Sequence, residues 1–326
     1  MTMPIAGAAT TAERTPAATL LTGSANRPLA EAIGRELGLS LGACTIGRFP
    51  DGEVMVRLEE SIRGRQVVVV QPTSPPVDQH LMELLALTDA CQRAAAARVI
   101  AVVPYFGYAR SDRREGRRTP VMASLVADLM RTAGIGELVL LDVHASAVEG
   151  FFRGPVDAIT AVPVLAAALK PRLPRDAVIV APDLGATRLA SRYAEHLQCA
   201  AAVCHKQRSG PDEVAVRRIT GDVEGRPCLI VDDMITTGAT IVESVRALGE
   251  AGALPGIMVA ATHAVLAPGA LAAIAASGVR ELVVTDSIAP REAPPDTLRC
   301  EVVTVAPLLA LAVRRLLEGG SLRELA

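Results

Sequence analysis

The sequence predicts an α/β fold built on two mostly parallel sheets, each flanked by helices. Three observations carry this reading. Short runs rich in Val and Ile alternate with longer Ala- and Leu-rich stretches of helical period, the pattern of βαβ units. Half of the 326 residues are apolar, yet only 2 % are aromatic and Trp is absent, so the cores must be aliphatic, as in parallel strands buried on both faces. Acidic and basic residues gather just after the apolar runs, where open α/β sheets bind their ligands.

The predicted strands are 66–70, 99–103, 138–141, 178–180, 229–231, 257–260 and 282–285, and the predicted helices 78–95, 121–133, 187–196, 240–251, 268–276 and 306–317. The length allows two domains with full cores. The segment 150–160 carries Gly and Pro and has weak periodicity, which puts the passage between the sheets near residue 155. A flexible arm at 1–17 then precedes a first domain at 18–155 and a second at 156–326, whose last helix is expected to pack on the first.

Composition excludes several classes. A net charge of −2 gives no bulk attraction for nucleic acid or for a membrane surface. No apolar run is long enough to span a bilayer, and residues 1–17 lack the layout of a signal peptide. The six cysteines form no CxxC and no zinc-ligand spacing with His, so a reducing cytoplasm is the expected compartment.

The stretch 229–240 reads LIVDDMITTGAT. An expected strand ends at Val231 and a helix starts near Thr240, so the amides of Thr236, Thr237, Gly238 and Ala239 can converge on an anion. Gly238 supplies the backbone freedom and the helix end a favourable partial charge. Asp232 and Asp233 cannot want that anion, but they can accept hydrogen bonds from two sugar hydroxyls. One motif would then grip a sugar phosphate at both ends. Thr240 with Glu243 also fits a capping box that needs no ligand.

CLIVDDMITTGAT resembles the phosphoribosyl-diphosphate loop shared by type I phosphoribosyltransferases and ribose-phosphate diphosphokinases. Further segments are similar to the diphosphokinases alone, and they run in that family's order over residues 20–317: FPDGE (49–53) to FSDGE, HLMELL (80–85), PYFGYARSDRR (104–114) to PYYGYARQDRK, LDVH (141–144) to LDLH, and GFF (150–152). APDLGATR (181–188) is similar to PDHGGVTR, one residue shorter, and HKQR (205–208) to the family's KRR.

The resemblance implies two phosphoribosyltransferase-like domains and transfer of the diphosphoryl group of ATP to C1 of ribose 5-phosphate, with Mg²⁺ as cofactor. It implies ATP contacts from Phe49, Asp51, Glu53, Arg110, Ser111, Asp112 and His144. The hairpin residues among them would serve the site of a neighbouring subunit in a homo-oligomer, a hexamer or a dimer. It implies metal binding at His144 and Asp183, catalysis by Lys206 and Arg208, and ribose-phosphate binding at Asp232, Asp233, Thr236, Thr237, Gly238, Ala239 and Thr240. Asp142 and His144 are expected to share one face of an extended chain and to hold Mg²⁺ or its waters. Two alternatives stand beside this reading: a non-catalytic paralogue that regulates an active diphosphokinase, and a phosphoribosyltransferase.

Overall fold

In the computed structural model the described residues are 18–114, 116, 118–208 and 214–326, without the side chains of 206–208 and 214–217. The predicted arm at 1–17 lies outside them. Strand β1 (Ala18–Thr22) leads into helix α1 (Arg27–Leu37), and an antiparallel hairpin follows, β2 (Cys44–Arg48) and β3 (Val54–Leu58). Then come β4 (Gln66–Val70), α2 (Val77–Arg93), β5 (Arg98–Val103), α3 (Met122–Ala133), β6 (Glu137–Leu141), α4 (Ala147–Phe151) and β7 (Val156–Ile159). The second half holds α5 (Val162–Leu169), β8 (Val178–Ala181), α6 (Thr187–Leu197), β9 (Ala200–Arg208), β10 (Val214–Thr220), β11 (Cys228–Ile235) and α7 (Ala239–Glu250). It closes with β12 (Met258–Ala264), α8 (Ala270–Ala276), β13 (Glu281–Thr285), β14 (Arg299–Val303), α9 (Ala306–Leu317) and a 3-10 turn, Arg323–Leu325.

Two large sheets result. One is all parallel, in the order β1-β4-β5-β6-β7; the other runs β10-β9-β8-β11-β12-β13-β14, parallel except for the antiparallel edge strand β10. Period two along each strand feeds two different cores. Val68, Val70, Ile100 and Val102 point into a central core, while Val67, Val69, Val99 and Ala101 point into an outer one. The second sheet does the same, with Ile179 and Leu229 central and Val180 and Ile230 outer.

The central core is continuous between the sheets and is filled by α1, α5, α6 and α9. Helices α2 and α3 with the hairpin cover the far face of the first sheet, and α7 and α8 the far face of the second. The molecule is therefore five layers deep, and its middle layer of helices belongs to both sheets. Helix α9 packs directly against α1.

Two boundaries differ from expectation. Strand β7 pairs with β6 and completes the first sheet, so the crossing between sheets comes after Ile159, a few residues past 155. Strand β11 does not stop at Val231 but runs on to Ile235, because β12 continues beside it through Ala264.

Candidate active site

The geometry of β11 makes the site. Its pairing with β8 ends at Ile230, while its pairing with β12 continues to Ile235. The last five residues of β11 thus overhang a gap left where β8 turns away into the loop at 182–186. Open sheets bind ligands in such a crevice at the carboxyl ends of their strands. Asp232 and Asp233 stand on the overhang. Gly238 then adopts φ 78 and forms the N-cap of α7, and Thr237 Oγ1 accepts from Ala239 N in a long contact of 3.4 Å. A Cβ at Gly238 would come within 3.0 Å of Ile274, besides the strain of its φ. The capping box expected from Thr240 and Glu243 does not form, and Glu243 instead pairs with Arg246 at 3.0 Å. The start of α7 meets the gap through Gly238 and Thr240.

The first sheet supplies the opposite wall. His144, just past β6, brings Nδ1 to 2.7 Å from Asp233 Oδ2. Arg110 follows a turn in which Gly107 packs so closely on Thr73 that a Cβ would meet the Thr73 carbonyl oxygen at 2.6 Å, and Tyr108 has φ 69. The cavity between these walls measures about 710 Å³ and is lined by Arg110, Asp142, His144, Asp183, Asp232, Asp233 and the loop Thr236, Thr237, Gly238 and Thr240.

The charges in this cavity are unbalanced toward the acidic side. Burial, and then the neighbouring Asp233 and Asp183 carboxylates, push Asp232 well above the usual carboxylate range. Burial acts on Asp233 in the same sense, but the hydrogen bond and charge of His144 outweigh it and hold Asp233 below its ordinary value. The hydrogen bond to Asp233 raises His144 in turn, against its own burial. These directions describe a His144–Asp233 ion pair next to an Asp232 that gives up its proton reluctantly.

The structure gathers some predicted residues and not others. Arg110, His144, Asp183, Asp232, Asp233, Thr236, Thr237, Gly238 and Thr240 share the cavity wall. Ala239 is exposed at the first turn of α7 and is not part of that wall. Ser111 is occupied elsewhere: its Oγ accepts from Met122 N at 3.3 Å and its carbonyl from Ala123 N, so it supports the start of α3. Asp112 is half-buried near His144, outside the wall. Phe49, Asp51 and Glu53 sit on the exposed β2–β3 turn, away from this chain's own cavity, with Glu53 N donating to Asp51 Oδ1 at 3.1 Å. Lys206 and Arg208 lie two apart in β9, and their side chains are outside the described residues.

Asp142 and His144 both line the cavity, but not through strand alternation. Strand β6 ends at Leu141 and Asp142 has φ 38, so the two-residue alternation breaks between them. The Asp142 carboxylate accepts from Thr160 Oγ1 (2.7 Å), Ala161 N (2.9 Å) and Thr262 Oγ1 (2.7 Å). Those bonds make Asp142 a joint between the sheets, and it also lines the cavity. Sequence reasoning also missed Arg188 and Arg192, which line the cavity from α6; their i, i+4 spacing was the available signal.

A magnesium ion fits the donor set in part. Asp183 and Asp233 offer the hard oxygens it prefers, and the carboxylates that raise Asp232 are a charge excess that a divalent cation relieves. Among the described residues no group of three or more His, Cys, Asp or Glu forms a ready-made metal cage. A cation here would share its coordination with substrate oxygens, as Mg²⁺ does at polyphosphate sites.

The fold and the cavity together define a class: a double α/β protein with a glycine-capped helix start and an acidic pair in one cavity. Comparison with known proteins narrows it. Residues 18–134 match the family described as the N-terminal domain of ribose phosphate pyrophosphokinase, and 211–326 the phosphoribosyl synthetase-associated domain. The chain is 42% identical over 304 residues to a ribose-phosphate pyrophosphokinase of Agrobacterium fabrum, covering 93% of this chain and 98% of that one. It is 43% identical to the Listeria ivanovii protein of the same name, covering 93% and 95%. Its fold superposes on the crystal structure of phosphoribosylpyrophosphate synthetase from Mycobacterium smegmatis with a TM-score of 0.86 and 38% identity, covering 93% of this chain and all of that one. The chain belongs to the ribose-phosphate pyrophosphokinase family.

Proposed function

We propose that the chain transfers the β,γ-diphosphoryl group of ATP to the C1 hydroxyl of ribose 5-phosphate, giving 5-phosphoribosyl 1-diphosphate and AMP. The observation that carries this reading is the shared cavity, in which the glycine-capped α7 start and Asp232/Asp233 from one sheet face Arg110 and His144 from the other. The ribose oxygen bonds to the β-phosphorus, the bond from that phosphorus to the α-phosphate oxygen breaks, and the hydroxyl proton leaves to water. The barrier is charge, because a hydroxyl must approach phosphorus through negative oxygens. Positioning and neutralisation therefore supply the catalysis.

The amides of Thr236, Thr237, Gly238, Ala239 and Thr240 hold the 5-phosphate, and Asp232 and Asp233 take the ribose hydroxyls. Arg110 and His144 meet the triphosphate from the opposite wall. Lys206 and Arg208 neutralise the transferring group, so Lys206→Ala should lower kcat far more than it weakens ribose 5-phosphate binding; an unchanged kcat removes Lys206 from the mechanism. Asp183, with His144 in its neutral form, would hold Mg²⁺, which would supply charge neutralisation at the phosphate oxygens.

Phe49, Asp51 and Glu53 lie outside their own chain's cavity, which supports an ATP site completed by a neighbouring subunit in a homo-oligomer. Mixing Phe49→Ala and His144→Ala subunits should then restore activity that neither has alone, to about a quarter of wild type for random dimers; a mixture as inactive as its parts rejects the shared site. Division into two domains, one per sheet, belongs to the same reading. So does a cytoplasmic location, which six cysteines outside any disulfide suit. No described helix is long and apolar enough to cross a membrane.

The direct test is AMP formation by the purified chain with ribose 5-phosphate, ATP and Mg²⁺, against a control without sugar. Sugar-dependent AMP supports the transfer. A folded protein that binds ATP yet releases no AMP returns the regulatory paralogue to first place.

A further inference from the structure

The His144–Asp233 contact joins two sheets, so something must hold those sheets in register to within a fraction of an ångström. We propose that Asp142, Thr262 and His263 form a clasp that sets this register, and that Asp142 and His263 are positioning residues for His144. The inference rests on the functional reading above for its kinetic consequences, but not for its geometry.

Asp142 is held twice by consecutive residues of β12. Thr262 Oγ1 donates to its carboxylate at 2.7 Å. His263 Nε2 lies 3.0 Å from the Leu141 carbonyl oxygen and 3.3 Å from that of Asp142. Two carbonyl oxygens facing Nε2 require that this nitrogen carry the ring proton. The other ring nitrogen lies 3.0 Å from Ser287 Oγ, and the Tyr105 ring meets the imidazole edge-on at 5.3 Å between centroids. Thr262 is itself seated, its carbonyl accepting from Thr285 Oγ1 at 2.6 Å and from Ser287 Oγ at 3.0 Å. Thr262, His263, Thr285 and Ser287 are all buried. They cannot touch a ligand, so any effect on the reaction acts through position.

The clasp also explains the backbone. A residue other than glycine with φ 38 persists only where its surroundings over-determine it. Asp142 has five such restraints: its carboxylate takes Thr160, Ala161 and Thr262, its carbonyl faces His263, and its amide donates to the Ile159 carbonyl at 2.9 Å. That turn redirects the chain two residues before His144. In the β11–β12 ladder His263 stands opposite Met234, the residue after Asp233. One strand therefore carries both the clasp and the pairings of Asp232 and Met234 on either side of Asp233, and β12 acts as the ruler between the two partners.

The test uses Thr262→Val, which keeps shape and removes one donor, beside Thr262→Ser, which restores it, and Asp142→Gly, which adopts the turn without a clasp. The expected result is a tenfold or greater fall in kcat for Thr262→Val, near wild-type kcat for Thr262→Ser, and KM for ribose 5-phosphate within about threefold, because the phosphate loop is untouched. Thr262→Val should cost little more in the Asp142→Gly background, since both act on one turn. Wild-type kcat in Thr262→Val, or losses that multiply in the double variant, would overturn the proposal. If the wild-type chain itself forms no AMP, the functional reading fails and the clasp is judged on structure. The His144–Asp233 separation in a crystal of Thr262→Val should then exceed hydrogen-bond reach, about 3.2 Å, and an unchanged separation rejects the clasp.

Discussion

Two strand ends of this chain share one local plan and have opposite fates. β1 runs into α1 through Gly23, Ser24, Ala25 and Asn26; β11 runs into α7 through Thr236, Thr237 and Gly238. At the first, the chain satisfies itself. Asn26 Oδ1 caps the helix by accepting from Leu29 N at 3.2 Å. The buried Glu83 Oε2 accepts from Ser24 N at 3.0 Å, Ser24 Oγ at 2.6 Å and Gln71 Nε2 at 3.1 Å. Gln71 Oε1 takes Ala25 N, and a Cβ on Gly23 would strike the Gln71 side chain at 2.3 Å. At the second, the N-cap is a glycine, Thr237 Oγ1 makes only a long 3.4 Å contact with Ala239 N, and a cavity stands in front of the helix. A strand end in a parallel sheet becomes a binding site where its polar groups are left for a ligand, and a structural joint where side chains fill the same space.

The largest test of that contrast puts a side chain where the open end has none. Gly238→Val adds strain at φ 78 and a contact with Ile274, and it displaces the amides that would hold phosphate. It should lower kcat/KM for ribose 5-phosphate by roughly 10²-fold, about 2.7 kcal/mol, while circular dichroism stays native. An unchanged KM for ribose 5-phosphate would show that the loop does not hold the phosphate. Smaller is the matching change at the closed end. Asn26→Ala loses a helix cap and a hydrogen bond of 2.7 Å to the Asp286 carbonyl. It should cost about 1–2 kcal/mol of stability, read by urea unfolding, and leave kcat and KM alone. A kinetic defect there would mean that the closed end is not merely a joint.

The same contrast explains what was legible in the sequence. The open end was, because unsatisfied function leaves an odd composition: two aspartates behind an aliphatic run and a Thr/Gly loop have no use in a core. The closed end was not, because Glu83 and Gln71 are ordinary residues until the fold brings Glu83 to Ser24 from 59 positions away and Gln71 to Ala25 from 46. The end of β11 was placed too early for a related reason: polar residues look like the end of a buried strand, and only β12, running on to Ala264, shows otherwise. His263 escaped notice inside the apolar run MVAATHA. A histidine in a strand with no charged neighbour in sequence was the available signal, but its partners at 141, 142 and 287 are tertiary. Asp142 and His144 do reach one cavity, but not by period two, which the φ of 38 at Asp142 breaks.

The smallest expected effects separate two histidines of opposite setting. His144 faces the open cavity, and its hydrogen bond to Asp233 raises its pKa. His263 lies in the closed seam, and burial lowers its pKa although Asp142 and Asp233 pull the other way. Linkage then gives opposite signs. The contribution of His144 is fully present below the unfolded histidine pKa, about 6.5, and is lost as pH rises through its higher folded value. His263 contributes a loss on the acid side: as pH falls through about 6.5 the unfolded chain takes up the proton first, so stability drops until the folded value is reached. One proton bounds either slope at about 1.4 kcal/mol per pH unit. His144 is 40% exposed, so solvent screening leaves it much the weaker of the two. Urea unfolding between about pH 5 and 9, without divalent cations, reads both slopes. His263→Gln should flatten the acid limb and leave the alkaline one, and His144→Gln should do the reverse. An acid limb unchanged by His263→Gln would mean that the seam takes up a proton without opening, and that the closed region is no drier than the open one.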